Sequence, residues 1–279
     1  MLNASNRTQL ESMCERLKLT KLSANLDEFL QGARKAKLSP AEVLERALKL
    51  EIDGREEKRI ELNMKLSRLP EIKRIEDFDF CVVPALERAE IVDLFSLELF
   101  MYRAKLLVRG PPGFGKTHLA LALGRLAVLA GYSTTFILAS KLFKQLEEAQ
   151  KDGVLEAKLL KYTKPNLLII DEIGYLNIEP STSYLFFQLV SARYERSSII
   201  YTGNRPVSEW GLVFGDPTAA SAILDRTLHH CEIVTIRGDS YRMLEKRRAG
   251  LLTASKAGTV RPADAEAMQA VEALQAVGT

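Results

Sequence analysis

Short, largely apolar runs alternate with helix-like stretches through the middle of the chain. Leu106–Val108, Thr134–Leu138, Leu167–Ile170 and Ser198–Thr202 are too short for helices and too continuous for half-exposed strands. They read as buried strands of a parallel sheet. His118–Ala127 and Ala139–Gln150 read as helices between them, with a polar break at Lys151-Asp-Gly153. Pro84–Tyr102 predicts a further helix ahead of the first strand, and Arg242–Arg248 a basic one near the end. From Leu10 to about Ile75 leucines recur at three- and four-residue spacings. Breaks at Gly32, Ser39-Pro40, Gly54 and Pro70 predict about four short helices there, one of them starting at Ser39-Pro40-Ala-Glu42. The pattern predicts an α/β domain with a parallel central sheet, over residues 76–250, preceded by a small all-α domain at 1–75. Residues 251–279 are rich in Ala, Gly and Thr with little periodicity, and read as a flexible tail or a short contact segment for a partner.

The first strand runs straight into Gly110-Pro111-Pro112-Gly113-Phe114-Gly115-Lys116-Thr117-His118, which fits the pattern GxxxxGK[ST]. Such a loop turns its backbone N–H groups inward around a phosphate chain, and glycines permit the turn because they lack a Cβ. Lys116 is placed to reach the β- and γ-phosphates. Thr117 offers a hydroxyl to Mg²⁺, and the helix that follows points its positive end at the triphosphate. The cofactors expected are therefore ATP and Mg²⁺.

A phosphate loop predicts carboxylates at the same sheet edge, and Leu167-Leu-Ile-Ile-Asp171-Glu172 supplies two. Asp171 is the candidate metal-holding acid with Thr117, and Glu172 the candidate group for polarising the attacking water. Asn204 follows the strand Ser198–Thr202 and is the candidate sensor of the γ-phosphate, although Gly203-Asn-Arg-Pro206 also suits a plain turn. Arg226, at the end of the helix-like Ala222–Leu228, offers a guanidinium for transition-state charge, from a neighbouring subunit. A surface pair of Asp225 with Arg226 is the alternative. The candidate catalytic set is Lys116, Asp171, Glu172, Asn204 and Arg226.

In this order the elements resemble the AAA+ P-loop NTPases, in the DnaC/IstB subgroup of helicase loaders and transposition helpers. Over about residues 5–250 the resemblance is closer to the IstB-like side. It is carried by Glu76-Asp-Phe-Asp-Phe80, Gly110–Ala120, Asp171–Tyr175, Asn204-Arg-Pro-Val-Ser-Glu-Trp210, Leu224-Asp-Arg-Thr-Leu-His-His230 and Gly238-Asp-Ser-Tyr-Arg242. Gly203 departs from the pattern, since similar proteins more often carry Ser before the Asn. The chain also has little after Arg242 to form the helical lid of many AAA+ proteins. The resemblance implies an ATPase whose oligomer holds ATP at subunit interfaces. It also implies duplex DNA and a cognate transposase as partners, and places Phe78 and Phe80 near the adenine. A helicase loader and an ATP-gated binding module that hydrolyses little remain the other readings.

Composition narrows this further. At 279 residues and 47% hydrophobic content the chain can bury a sizeable core. No apolar run approaches ~18 residues, so no membrane span is expected, and the first residues lack a signal-peptide core. The expected location is cytoplasmic. Cys14, Cys81 and Cys231 fit reduced, structural thiols, and His118, His229 and His230 make no metal spacing with them. Residues 1–75 hold sixteen Lys and Arg against twelve Asp and Glu, a net charge of +4 against +3 for the whole chain. That excess alone describes a solvated helical face. With the resemblance, Arg34, Lys35, Lys37, Arg55, Lys58 and Arg59 become candidate contacts to DNA phosphates.

Overall fold

The four apolar runs are strands in the computed structural model, which describes residues 4–78, 104–175 and 178–236, and a fifth strand joins them. β1 (Lys105–Arg109), β2 (Thr134–Leu138), β3 (Leu167–Ile173), β4 (Ser198–Gly203) and β5 (Cys231–Thr235) form one sheet in the order β2-β3-β4-β1-β5. All four pairings are parallel, with Lys105 opposite Ile199 and Cys231, and Leu167 opposite Ser198 and Thr134. Both faces of the central strands are covered, which is why Leu106–Val108 and Leu167–Ile170 are 0% exposed and read as unbroken apolar runs.

Two consequences of this order position the chemistry. The C-terminal ends of all five strands share one edge. There the loop after β1 stands beside the end of β4, and β4 beside β3.

The helices of the α/β part follow the strands. They are α5 (Lys116–Leu129), α6 (Ala139–Lys151), α7 (Leu155–Thr163), α8 (Pro180–Arg193), the short α9 (Trp210–Val213) and α10 (Pro217–Leu228). On one side of the sheet Phe143, Phe186, Phe214 and Trp210 interlock through ring contacts of 5.4–5.9 Å. Arg193, fully buried at the end of α8, forms no ion pair with an acid among the described residues. Its guanidinium instead donates to the carbonyls of Tyr162, Pro165, Asn166 and Ser198, tying the approaches to β3 and β4 together. Burial pushes its pKa down to about 10.

The N-terminal part is helical as expected, with breaks at Ser39-Pro40 and before Pro70 but none at Gly32 or Gly54. α1 (Ala4–Arg16), α2 (Thr20–Ala24) and α3 (Leu26–Lys35) are short, whereas α4 (Pro40–Ser67) runs for 28 residues straight through Gly54. Gly54 is a packing position rather than a break. A Cβ there would lie 2.2 Å from the Lys21 side chain. Gly32 likewise sits inside α3. The start at Ser39 is a full capping box, in which the Ser39 hydroxyl accepts from the Glu42 N–H and the Glu42 carboxylate accepts from the Ser39 N–H at 2.7 Å. α4 packs on β2 and α5, so the helices belong to the same compact unit as the sheet. Cys14 and Cys231 are free thiols, the latter pushed up to about 11 by burial. No described helix is long and apolar enough to cross a membrane. Phe80, Cys81, the Pro84–Tyr102 helix, the Gly238–Arg242 phrase, the Arg242–Arg248 helix and the tail lie outside the described residues.

Candidate nucleotide site

β1 ends at Arg109, and the next six residues turn back on themselves before α5 begins at Lys116. Gly113 and Gly115 take φ values of 88° and 84°, where a Cβ would be strained, and Gly115 is the N-cap of α5. The first N–H groups of a helix have no intrahelical partner, so this turn delivers them to whatever lies in the loop. Lys116 is buried and its Nζ donates to the Pro111 carbonyl at 2.7 Å, which holds the cation folded over the loop.

Thr117, one residue into α5, points at the end of β3. Its hydroxyl lies 3.0 and 3.2 Å from the two carboxylate oxygens of Asp171. Asp171 is 3% exposed and makes no ion pair among the described residues; Thr202 also donates to it. A buried carboxylate held by hydroxyls rather than by a cation is an all-oxygen donor set. It fits a hard divalent ion such as Mg²⁺, with Thr117 and Asp171 as the residues to hold it.

Glu172 is exposed beside it. Between Ile170 and Ile173 the register of β3 against β4 shifts by one residue, and Glu172 sits in this bulge with a φ of 62°. Its N–H donates to the Thr202 hydroxyl at 3.0 Å. Gly203, the departure noted from sequence, has its reason here. A Cβ at that position would come within 2.7 Å of the Ile173 carbonyl as the bulged strand leans across. Asn204 follows at the same edge, and its Oδ1 is buried without a hydrogen-bond partner among the described residues. An amide oxygen in that state is available to a ligand or a water.

Four of the five candidate catalytic positions thus meet at one edge, and Arg226 does not. It lies in the last turn of α10, just before the start of β5, its guanidinium 4.6 Å over the Phe187 ring and donating to the Ala222 carbonyl at 3.2 Å. That is the N-terminal edge of the sheet, and a five-residue strand separates the two edges by about 15 Å. No Asp225–Arg226 pair forms among the described residues.

Phe78 is buried and packs edge-on against His118, 5.5 Å between centroids, while His118 Nε2 donates to the Arg74 carbonyl at 2.9 Å. Residues 74–78 are therefore latched to the first turn of α5. The six candidate DNA-contacting cations divide. Arg55 bonds Glu51 and the Lys18 carbonyl, Lys58 the Thr20 hydroxyl, and Arg59 Glu56. Arg34, Lys35 and Lys37 are exposed at the end of α3 and form no ion pair among the described residues. Sequence reasoning passed over Thr202, which nothing but its neighbours marks out.

Fold and loop define a P-loop ATP-binding protein of the AAA+ type. Among solved structures it is similar to a DNA replication initiation factor (TM-score 0.51, 22% identity, 67% of this chain and 57% of that one). It is also similar to AMPPCP-bound DnaA from Aquifex aeolicus (TM-score 0.50, 21% identity, 66% and 56%). These likenesses speak for the fold. The chain belongs to the family of IstB-like ATP-binding proteins, whose model matches residues 12–249. It is 42% identical over 245 residues to an ATP-binding protein of insertion sequence IS21 from Pseudomonas aeruginosa, covering 88% of this chain and 92% of that one. A corresponding protein of insertion sequence IS5376 from Geobacillus stearothermophilus is 40% identical over 241 residues, covering 86% and 96%.

Proposed function

We propose that this chain is a Mg²⁺-dependent ATPase of the cytoplasm that binds duplex DNA as a homo-oligomer and assists transposition of an insertion sequence. Its task is to remodel the target DNA and to recruit or activate the transposase. One observation carries the hydrolytic part, the meeting of Thr117, Asp171, Glu172 and Asn204 beside the phosphate loop. The insertion-sequence relatives support the transposition part.

In this reading Lys116 leaves the Pro111 carbonyl for the β- and γ-phosphates when ATP enters. Thr117 and Asp171 hold the metal, which when bound neutralises charge developing on the phosphate oxygens. The Glu172 carboxylate accepts the proton of the attacking water, and Asn204 Oδ1 orients that water by accepting its second hydrogen. Arg226 faces the phosphates of the adjacent protomer, because its own lie at the far edge of the sheet. Residues 1–75 grip DNA phosphates through the exposed end of α3, residues 76–250 form the ATPase part, and 251–279 serve as a flexible tail or as a contact segment for a partner.

The test is a duplex shift assay with and without ATP and Mg²⁺, with particle size followed in parallel. ATP should enlarge the particle and strengthen DNA binding together, and hydrolysis should need Mg²⁺. A particle that stays one size and binds duplex equally well in both conditions would remove the ATP-driven assembly.

A further inference from the structure

Thr202 lies in β4, is 0% exposed, and touches both acids of the site with one hydroxyl. A hydroxyl has one proton to give and lone pairs to accept with. Here the proton goes to the Asp171 carboxylate, and the Glu172 N–H comes in at 3.0 Å. The second contact matters because of the bulge. The extra residue of β3 between Ile170 and Ile173 takes Glu172 out of step with β4, and its left-handed φ of 62° is one that a side-chain-bearing residue adopts only when its surroundings hold it there. The Thr202 hydroxyl supplies the acceptor that the N–H would otherwise find in the strand ladder. A β-branched side chain has few rotamers, so the oxygen is fixed in place with the strand.

We propose that Thr202 is the positioning residue of the hydrolytic site, setting the Asp171 carboxylate for the metal and locking the bulge that aims Glu172 at the attacking water. This rests on the hydrolytic reading above. It makes a distinction that a packing role would not. The Thr202 hydroxyl bonds Asp171 and Glu172, whereas the phosphate-binding role is assigned to the loop N–H groups and Lys116, so turnover and metal use should suffer while nucleotide affinity at saturating Mg²⁺ should not.

The experiment compares Thr202→Val, which keeps the shape, with Thr202→Ser, which keeps the hydroxyl, in the full chain. Thr202→Val should lower kcat at least about tenfold and leave KM for ATP within about twofold, while Thr202→Ser stays within about threefold of the parent. Two readouts need no turnover. With a fluorescent ATP analogue, the Mg²⁺ concentration for half-maximal affinity should rise at least about threefold in Thr202→Val and not in Thr202→Ser. Without nucleotide, amide hydrogen exchange at Glu172 should quicken in Thr202→Val alone. Should Thr202→Val not fold, Thr202→Ala against Thr202→Ser is read in the same way. A parental protein that binds ATP but does not hydrolyse it removes the hydrolytic reading, and the Mg²⁺ and exchange readouts still decide on Thr202. Parental values in the hydroxyl-free variant, or equal losses in Val and Ser, would overturn the proposal.

Discussion

Glu51 offers a direct test of how the N-terminal helices are held. It is 3% exposed in the middle of α4, yet its carboxylate accepts from the backbone N–H groups of Thr20, Lys21 and Leu22 at 3.2, 2.9 and 3.3 Å. Those three are the unpaired donors at the start of α2, a five-residue helix whose own N-cap position, Leu19, has no side-chain oxygen. A helix so short does not stand alone in water, so the cap supplied from α4 is what orders the turn between α1 and α3. Burial pushes the Glu51 pKa up, but the three N–H groups and Arg55 outweigh it and hold the group below the ordinary carboxylate range.

Glu51→Ala removes an acceptor of three charge-assisted bonds. Each such bond contributes about 1.5–3 kcal/mol, offset by the desolvation the carboxylate no longer suffers, so a net loss of about 2–4 kcal/mol is expected. For a chain of this size that corresponds to a melting temperature lower by about 3–7 °C. Glu51→Gln should lose less, since its amide oxygen still accepts. Because the folded pKa is depressed, the charge's contribution is complete above the unfolded value of about 4.3 and is lost as pH falls through the folded pKa. The stability gap between parent and Glu51→Gln should therefore be constant at neutral pH and close on acidification. Thermal melts across pH, with limited proteolysis of residues 1–40, measure this. Duplex binding should weaken in Glu51→Ala while ATP affinity stays parental, since the capped turn leads into α3 and not to the phosphate loop. A melting temperature within about 1 °C of the parent, with the gap unchanged at acid pH, would refute the reasoning.

Lys116→Ala should abolish tight ATP binding, whereas Glu172→Gln should bind ATP and cease turnover; a Glu172→Gln protein hydrolysing at the parental rate would assign the water to another group. Charge reversal at Arg34, Lys35 and Lys37 together should weaken duplex binding for every sequence and flatten its salt dependence, and unchanged shift-assay titrations would locate the DNA surface elsewhere. Mixing inactive Lys116→Ala with inactive Arg226→Ala should restore part of the hydrolysis, because some interfaces then pair an intact loop with an intact Arg226. No recovery in demonstrated mixed oligomers would confine Arg226 to its own chain.

What was legible in the sequence was what the chain states locally. The inner strands announced themselves because both faces are buried, so β1 and β3 carry unbroken apolar runs and β2 and β4 largely apolar ones, and the phosphate loop because backbone geometry dictates its glycines. β5 was missed because Glu232 and Ile233 are exposed, which leaves Cys231–Thr235 without such a run. Gly54 was read as a break because a glycine costs a helix about 1 kcal/mol, too little to stop one when packing against Lys21 calls for the missing Cβ.

The groups that escaped reading share a different cause. Glu51 caps Lys21 across 30 residues, Thr202 serves Asp171 across 31, and Arg193 holds Tyr162 across 31. Each is an ordinary residue type in an ordinary local pattern, and its importance arises only when folding removes it from water and leaves it one set of partners. A buried acid is costly unless donors converge on it, and a buried guanidinium unless carbonyls do. Such residues are therefore over-determined by their surroundings and invisible beforehand. The same logic gives Arg226 its meaning. Its sequence offered either a surface pair or a contribution to a phosphate, and the sheet topology sets it at the edge away from its own loop. A role in charge stabilisation for Arg226 thus requires a second copy of the chain, and makes ATP part of the contact between them.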